Sequence, residues 1–470
     1  MQESQEHYFE EDSIYQAISR YEDMVRANAT TYFDVYEFEV IVDYYLDQNH
    51  FSMAEDALGI ALSQHPEAVE LKFRLSQLLI NSGKPAKGIR IIRDIEHLEA
   101  NNPEFFIVKG TALNLLGKKQ EADQAFKEAI TLSSDSRDEV LHNISLSYIH
   151  NRHYKQAIRY LLLAYEINPA NLDVLQELAL VYERIDELHK CVLYYKKYLD
   201  IDPFNDTIWL NLGLIYSSLE NHEKALEAFD YSICVSPSNL AALLSRANLC
   251  INTGDYSEAI QSYLEILELD PVNVQALTYI GECYEKQEFY KRSVYYFKKA
   301  ISLDEQFSDA WYGLGVATYQ QDQILESVPY FNRALQIDPE NSDYWFMMGE
   351  VYRKLQELEK SAEAFNRAVE LDPNDYEAWI CRAELSYKDN NDLKGAISIL
   401  NKAILYNRDN STINYQLATY YFQNNQSKLG FSFFEKGLEI NFSEHTEFLD
   451  NIAGKYASKL ASELIIKYKN

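Results

Sequence analysis

A spacing of 34 residues constrains this chain more than any other feature. Pro169, Pro203, Pro237 and Pro271 stand at that interval, and further steps of 34 land on Glu305, Pro339 and Pro373. Several of these follow a polar residue, as in Asn168-Pro169, Asp202-Pro203, Asp270-Pro271, Asp338-Pro339 and Asp372-Pro373. Proline pushes the residue before it out of helical backbone, so each marks the end of a helix. Self-similarity at such a period is the signature of small supersecondary units stacked in an array.

The rest of the sequence falls into the same register. With the proline numbered 32, position 4 reads Trp209, Leu243, Leu277, Trp311, Trp345 and Trp379, and position 8 reads Gly213, Ala247, Gly281, Gly315, Gly349 and Ala383. Position 20 reads Ala225, Ala259, Ser293, Ser327 and Ser361, and position 24 reads Phe229, Tyr263, Phe297, Phe331 and Phe365. Positions 4, 8 and 11 share one face of a first helix, and 20, 24 and 27 share one face of a second. Small residues at 8 and 20 let the two helices approach, while the aromatics at 4 and 24 are expected to fill the space between neighbouring hairpins. Near position 15 the chain must reverse, and Asn49, Gly83, Gly117, Gly254, Asn390 and Asn425 suit a left-handed turn. Pro85 stands where a second helix would begin, a favoured place for proline.

These residues resemble the tetratricopeptide repeat: Trp or Leu at 4, Leu at 7, a small residue at 8, Tyr at 11, Ala or Ser at 20, an aromatic at 24, Ala at 27 and Pro at 32. The resemblance covers nearly the whole chain in twelve units: 35–68, 69–102, 103–137, 138–171, 172–205, 206–239, 240–273, 274–307, 308–341, 342–375, 376–410 and 411–444. Two units carry an extra residue, one near Arg137 and one in the Asp389–Leu393 turn. The first two match poorly at position 4, with Phe38 and Lys72, and Pro329 falls early in a second helix, where a mild kink is expected. The resemblance implies an all-α, right-handed superhelical solenoid of about twelve helix-turn-helix repeats between terminal capping helices.

Three segments follow: an acidic tail and capping helix over 1–34, the array over 35–444, and a C-terminal capping helix over 445–470. Ser13 and Gln16 form a candidate capping box for a helix near 14–28, which carries Ala17, Tyr21 and Met24 like an orphan second helix. Phe448, Ile452, Tyr456 and Leu460 run four apart at the other end. Caps of this kind shield the ends of repeat arrays.

Composition narrows the function class. Hydrophobic residues make up 47% and charged residues 25%, which excludes wholesale disorder. With 73 acidic and 43 basic residues the net charge is −30, a field that repels nucleic acid and anionic membranes and attracts basic partners. Cys191, Cys234, Cys250, Cys283 and Cys381 form no C-x-x-C pair, and they read as reduced thiols rather than a disulfide or zinc framework. The N-terminus has no basic-then-apolar signal and no stretch reaches 18 apolar residues, so the expected location is cytoplasmic.

No catalytic, cofactor or metal motif survives inspection. Gly110 and Gly117-Lys118 are spaced wrongly for a phosphate loop and occupy repeat positions 8 and 15. Gly313-Leu314-Gly315 is half a dinucleotide fingerprint inside a helix. His142, His150 and His153 cluster in one unit without a carboxylate or cysteine at ligand spacing. The repeats leave no room for a catalytic domain.

In the family the first helices line the concave surface, so positions such as 5 and 9 would face a groove. Here these supply Ile107, His142, Leu146, Leu180, Leu210, Leu214, Leu244, Glu282, Tyr312, Val316, Phe346, Glu350 and Glu384. The strip is apolar in the middle of the array and gains acids towards the C-terminus. The expected partner is therefore a protein or peptide with apolar and basic character, neither nucleic acid nor bilayer. The Lys and Asn pairs of the family's two-carboxylate clamp are missing, since Asn248 follows Leu244. Two roles are compatible: a scaffold or adaptor that binds in the groove, or a subunit of a membrane-associated assembly docked through the C-terminal helix with Lys455, Lys459, Lys467 and Lys469.

Overall fold

The computed structural model describes residues 15–134, 136–389, 391–449 and 464–468, and among these every regular element is helical. Two compact units divide the chain, Met1–Val235 and Ser236–Asn470. Each 34-residue interval holds a hairpin of two helices, from Val35–Asp47 with Phe51–Gln64 to Ser411–Gln423 with Ser427–Ile440.

The reversal between the helices is more uniform than the sequence suggests. Asn49, Gly83, Gly117, Gly254 and Asn425 have positive φ, and so do Arg152, Asp186, Glu220, Glu288, Asp322 and Gln356, at 56 to 63°. A left-handed residue with a Cβ is strained by about 1–2 kcal/mol. The strain is offset by two hydrogen bonds that close the helix end: the Glu288 N–H donates to the Glu285 carbonyl and the Phe289 N–H to the Tyr284 carbonyl, both at 2.8 Å.

One reversal departs from the expectation. Asn390 lies outside the described residues, and Asn391 takes the left-handed conformation instead. The extra residue of this repeat is not confined to the turn. It enters the first helix as a π turn, Leu385–Asp389, and the Asp392 N–H donates to the Ser386 carbonyl six residues back at 2.8 Å. Pro329, by contrast, leaves its helix Ile324–Ile337 unbroken.

The start of each first helix has its own recurrent device, which the sequence reading missed. Asn171, Asn205, Asn239, Asn273 and Asn410 precede first helices, and each side chain accepts a hydrogen bond from the N–H three residues on. Asparagine at this place satisfies one of the donors a helix N-terminus leaves open.

Within each hairpin, the position-24 ring lies against the position-8 glycine. A Cβ on Gly213 would come within 2.5 Å of the Phe229 ring, and one on Gly349 within 2.7 Å of Phe365. Phe297 meets Gly281 of its own repeat and Gly313 of the next, so it fills both the hairpin and the gap beyond it. Position 24 thus fills the space towards the next hairpin, as expected, and also the interior of its own. Tyrosines at 11 and 23 stack across the same hairpin, Tyr182 on Tyr194 at 5.6 Å and Tyr284 on Tyr296 at 5.6 Å.

Position 4 holds the link to the preceding loop. The indole N–H groups of Trp209, Trp311, Trp345 and Trp379 donate to the carbonyls of Pro203, Glu305, Pro339 and Pro373 at 2.9 to 3.0 Å. All four tryptophans of the chain make this bond, so a turn that proline deprives of one donor gains another partner for its carbonyl.

At the N-terminus, helix 15–26 buries Ala17, Tyr21 and Met24, with Tyr21 edge-on to Phe33 and Phe38. It ends at left-handed Asn28, and the Ala29 N–H donates to the Met24 carbonyl at 3.0 Å. That is how the first helices of this chain end, so its geometry is not that of an orphan second helix. The acidic tail and the Ser13 cap lie outside the described residues. Near the other end Phe448 stacks on Tyr415 at 5.0 Å, and Leu464, Ile465 and Tyr468 pack against the core of the last repeat. Ile452, Tyr456 and Leu460 lie outside the described residues.

Candidate protein-binding surface

The hairpin core uses positions 3, 7, 8, 10 and 11 of a first helix. In Asp206–Ser218 these are Ile208, Leu212, Gly213, Ile215 and Tyr216. Positions 5 and 9 are left on the flank, four residues apart on one face.

In the first unit this flank is apolar. Leu146, Leu180 and Leu210 are partly exposed and Leu214 is 44% exposed. Ile107 differs: it is 8% exposed and packs in the core with Phe105 and Phe126, so it presents no groove side chain. The register of its repeat holds, with Gly110 against the Phe126 ring, so position 5 itself is drawn into the core there. Two further position-9 residues, Gln77 and Thr111, border a hollow of about 330 Å³ together with Leu46 and Arg74. Arg74 there pairs with Asp43 and Glu39.

His142 and His150 gain a carboxylate that their spacing in sequence hides, Glu177 of the next repeat. Burial raises the Glu177 carboxyl; His142 opposes the shift, Asp173 adds to it and His150 opposes it. No group of three or more His, Cys, Asp or Glu able to hold a metal occurs among the described residues.

In the second unit the flank is aromatic and acidic. Leu244 is 39% exposed, whereas Val316 and Phe346 are half-buried, Phe346 lying 5.9 Å from Phe365. Tyr312 stacks on Tyr344 at 4.8 Å, and the Tyr344 hydroxyl donates to Asp309 at 2.5 Å. Burial raises the Tyr312 hydroxyl pKa, and Asp343, Glu285, Glu282 and Asp309 around it add to the shift. Glu282 is itself pushed up to about 7, first by burial and next by Asp309, with Lys286 opposing. Glu350 and Glu384 are different acids from Glu282. Arg353 reaches both, at 2.8 and 3.8 Å, and Lys388 lies 3.0 Å from Glu384. Cations stand beside both groups of acids, since Lys286 lies 3.4 Å from Glu285 in the Tyr312 cluster.

Family models named Tetratricopeptide repeat match residues 40–103, 103–136, 138–171, 172–205, 210–274, 244–306 and 281–342. The chain belongs to the tetratricopeptide repeat family. A further model, the Cytochrome c-type biogenesis protein H TPR domain, matches residues 331–441. No curated protein matches the sequence. Among solved structures, a tetratricopeptide repeat protein from Parabacteroides merdae is 21% identical, aligning 53% of this chain with 98% of its own at a TM-score of 0.39. YrrB, described as a TPR protein with an unusual peptide-binding site, is 21% identical over 39% of this chain and 94% of its own, with a TM-score of 0.32. MamA is 24% identical over 36% of this chain and 92% of its own, also at 0.32.

Proposed function

We propose that the chain is a non-catalytic scaffold or adaptor whose first-helix face holds a segment of another protein. The observation that carries this is the row of leucines at positions 5 and 9 of the first unit, Leu146, Leu180, Leu210 and Leu214, of which Leu214 remains 44% exposed. Apolar side chains recurring once per repeat on an exposed flank are a binding surface or an aggregation liability. The acids and paired tyrosines around Tyr312 favour a partner that also carries positive charge, because a cation near the half-buried Glu282 restores the solvation that burial removes. A cytoplasmic setting is part of the proposal, and the free thiols fit a reducing compartment.

The membrane-docked reading draws less support. No helix among the described residues is long and apolar enough to cross a membrane. Of the four C-terminal lysines only Lys467 is described, and it pairs with Glu435 at 2.8 Å.

The test is affinity capture from native extract with wild type and Leu180→Glu/Leu214→Glu, the variant first shown by circular dichroism to keep its helicity. Loss of a captured protein with the variant supports the first-helix face. Capture of the same protein by both would place binding elsewhere.

A further inference from the structure

The second helices carry a feature that the first-helix flank does not use. Tyr290–Leu303 contains Lys291, Arg292, Lys298 and Lys299 and no acidic residue, in a chain of net charge −30. Lys291, Arg292, Tyr295, Lys298 and Lys299 follow the three-and-four spacing of one helix face, and all are exposed, Tyr295 by 61%. Phe289, 54% exposed, stands at the N-terminal end of the stripe, where it lines a hollow of about 460 Å³ with Glu288, Tyr290, Lys291, Arg292 and Gln321.

Acids outnumber bases in this protein by 73 to 43, so four cations on one helix that carries no acid run against the composition. The helix Leu188–Leu199 shows what happens elsewhere at the same repeat positions. Lys190 pairs with Glu187 at 3.4 Å, the Lys197 ammonium donates to the Tyr165 hydroxyl at 2.8 Å, and Lys196 lies over the Tyr216 ring. On Tyr290–Leu303 no ion pair to any of the four cations occurs among the described residues; Arg292 lies over Tyr284 and Phe289. Four like charges left together repel one another, and an anionic partner would relieve that repulsion.

We propose that this stripe is a second docking surface, which takes an acidic segment of a protein partner carrying an aromatic or apolar anchor. Lys291 to Lys299 spans about 12 Å along the helix, the reach of about four extended residues. Tyr295 and Phe289 offer the apolar contact that fixes register. A short acidic peptide feels chiefly the charges within a Debye length of about 8 Å, whereas an extended polyanion or a membrane surface also feels the −30 of the whole chain. The chemistry therefore favours protein acid over nucleic acid or anionic lipid.

The probe is a fluorescein-labelled peptide of two glutamates, a phenylalanine and two further glutamates between glycines, titrated onto the full chain. Binding should weaken as salt rises and fall about tenfold or more in Lys298→Glu/Lys299→Glu, with an intermediate loss in Lys298→Gln/Lys299→Gln. Leu180→Glu/Leu214→Glu should bind it like wild type, which separates this surface from the first-helix face. Both lysines are solvent-exposed, and unchanged circular dichroism of the variants verifies the fold. Peptide binding indifferent to the lysine reversals overturns the proposal. So does tighter, lysine-dependent binding of a single-stranded oligonucleotide, or of phosphatidylserine–phosphatidylcholine vesicles, than of the peptide.

Discussion

At the scale of single residues, two positions carry the clearest consequences. Gly213 has the Phe229 ring where a side chain would go, at 2.5 Å from an added Cβ. Gly213→Val should cost about 1–3 kcal/mol through overpacking, read as a lower urea midpoint. An unchanged midpoint would mean that the ring has room to move. Glu282 gives a pH signature. Its carboxyl rises from 4.5 to about 7 in the folded chain. Between those values the folded state keeps a proton that the unfolded state has released, so Glu282 makes stability fall as pH rises through that window and level off above it. Glu282→Gln should flatten the profile between pH 5 and 7 and be at least as stable as wild type at pH 8. Parallel wild-type and variant profiles would show that Glu282 titrates as an ordinary surface acid. The residue scale is also where sequence reading succeeded unevenly. Gly213, Phe229 and their equivalents were legible because a 34-residue period repeats them. The influence of His142 on Glu177 was not, because the two come near one another only when one repeat stacks on the next.

At the scale of elements, the hairpin is set by its reversal and its caps. Gly83, Gly117 and Gly254 announce the left-handed turn, but Glu288 or Gln356 at the same position does not, because the bonds that close the helix end impose the conformation on a residue with no preference for it. Replacing Glu288 by Gly should therefore stabilise the chain by about 0.5–1 kcal/mol, the left-handed penalty less the added entropy of an unfolded glycine. A lower urea midpoint would show that the Glu288 side chain contributes more than its backbone strain costs. The π turn Leu385–Asp389 illustrates the opposite limit. A count of 35 residues reveals that one is extra, but whether a loop or a helix absorbs it depends on hydrogen bonds that no spacing records. The asparagine caps before the first helices were in plain view at position 34, and only their pairing with the N–H three residues on gives them meaning.

At the scale of the molecule, the array follows from the period alone, since hairpins that cannot bury their apolar faces singly must stack. The candidate surface follows only in part. Its apolar character in the first unit could be read at positions 5 and 9, and Ile107 shows the limit, because in its repeat the same position packs into the core. The concentration of acids around Tyr312 depends on Glu285 and Asp343 arriving from neighbouring helices, since of these acids only Asp309 shares the helix of Tyr312. The central claim is that a partner lies along the first-helix face. Site-specific photo-cross-linking tests it most directly, with a photoreactive residue at Leu214 or Phe346 and, for comparison, at Glu227 or Glu363 on second helices. Cross-links to one partner from Leu214 and Phe346, and none from Glu227 and Glu363, are the predicted result. Cross-links from the second-helix positions alone would contradict the account.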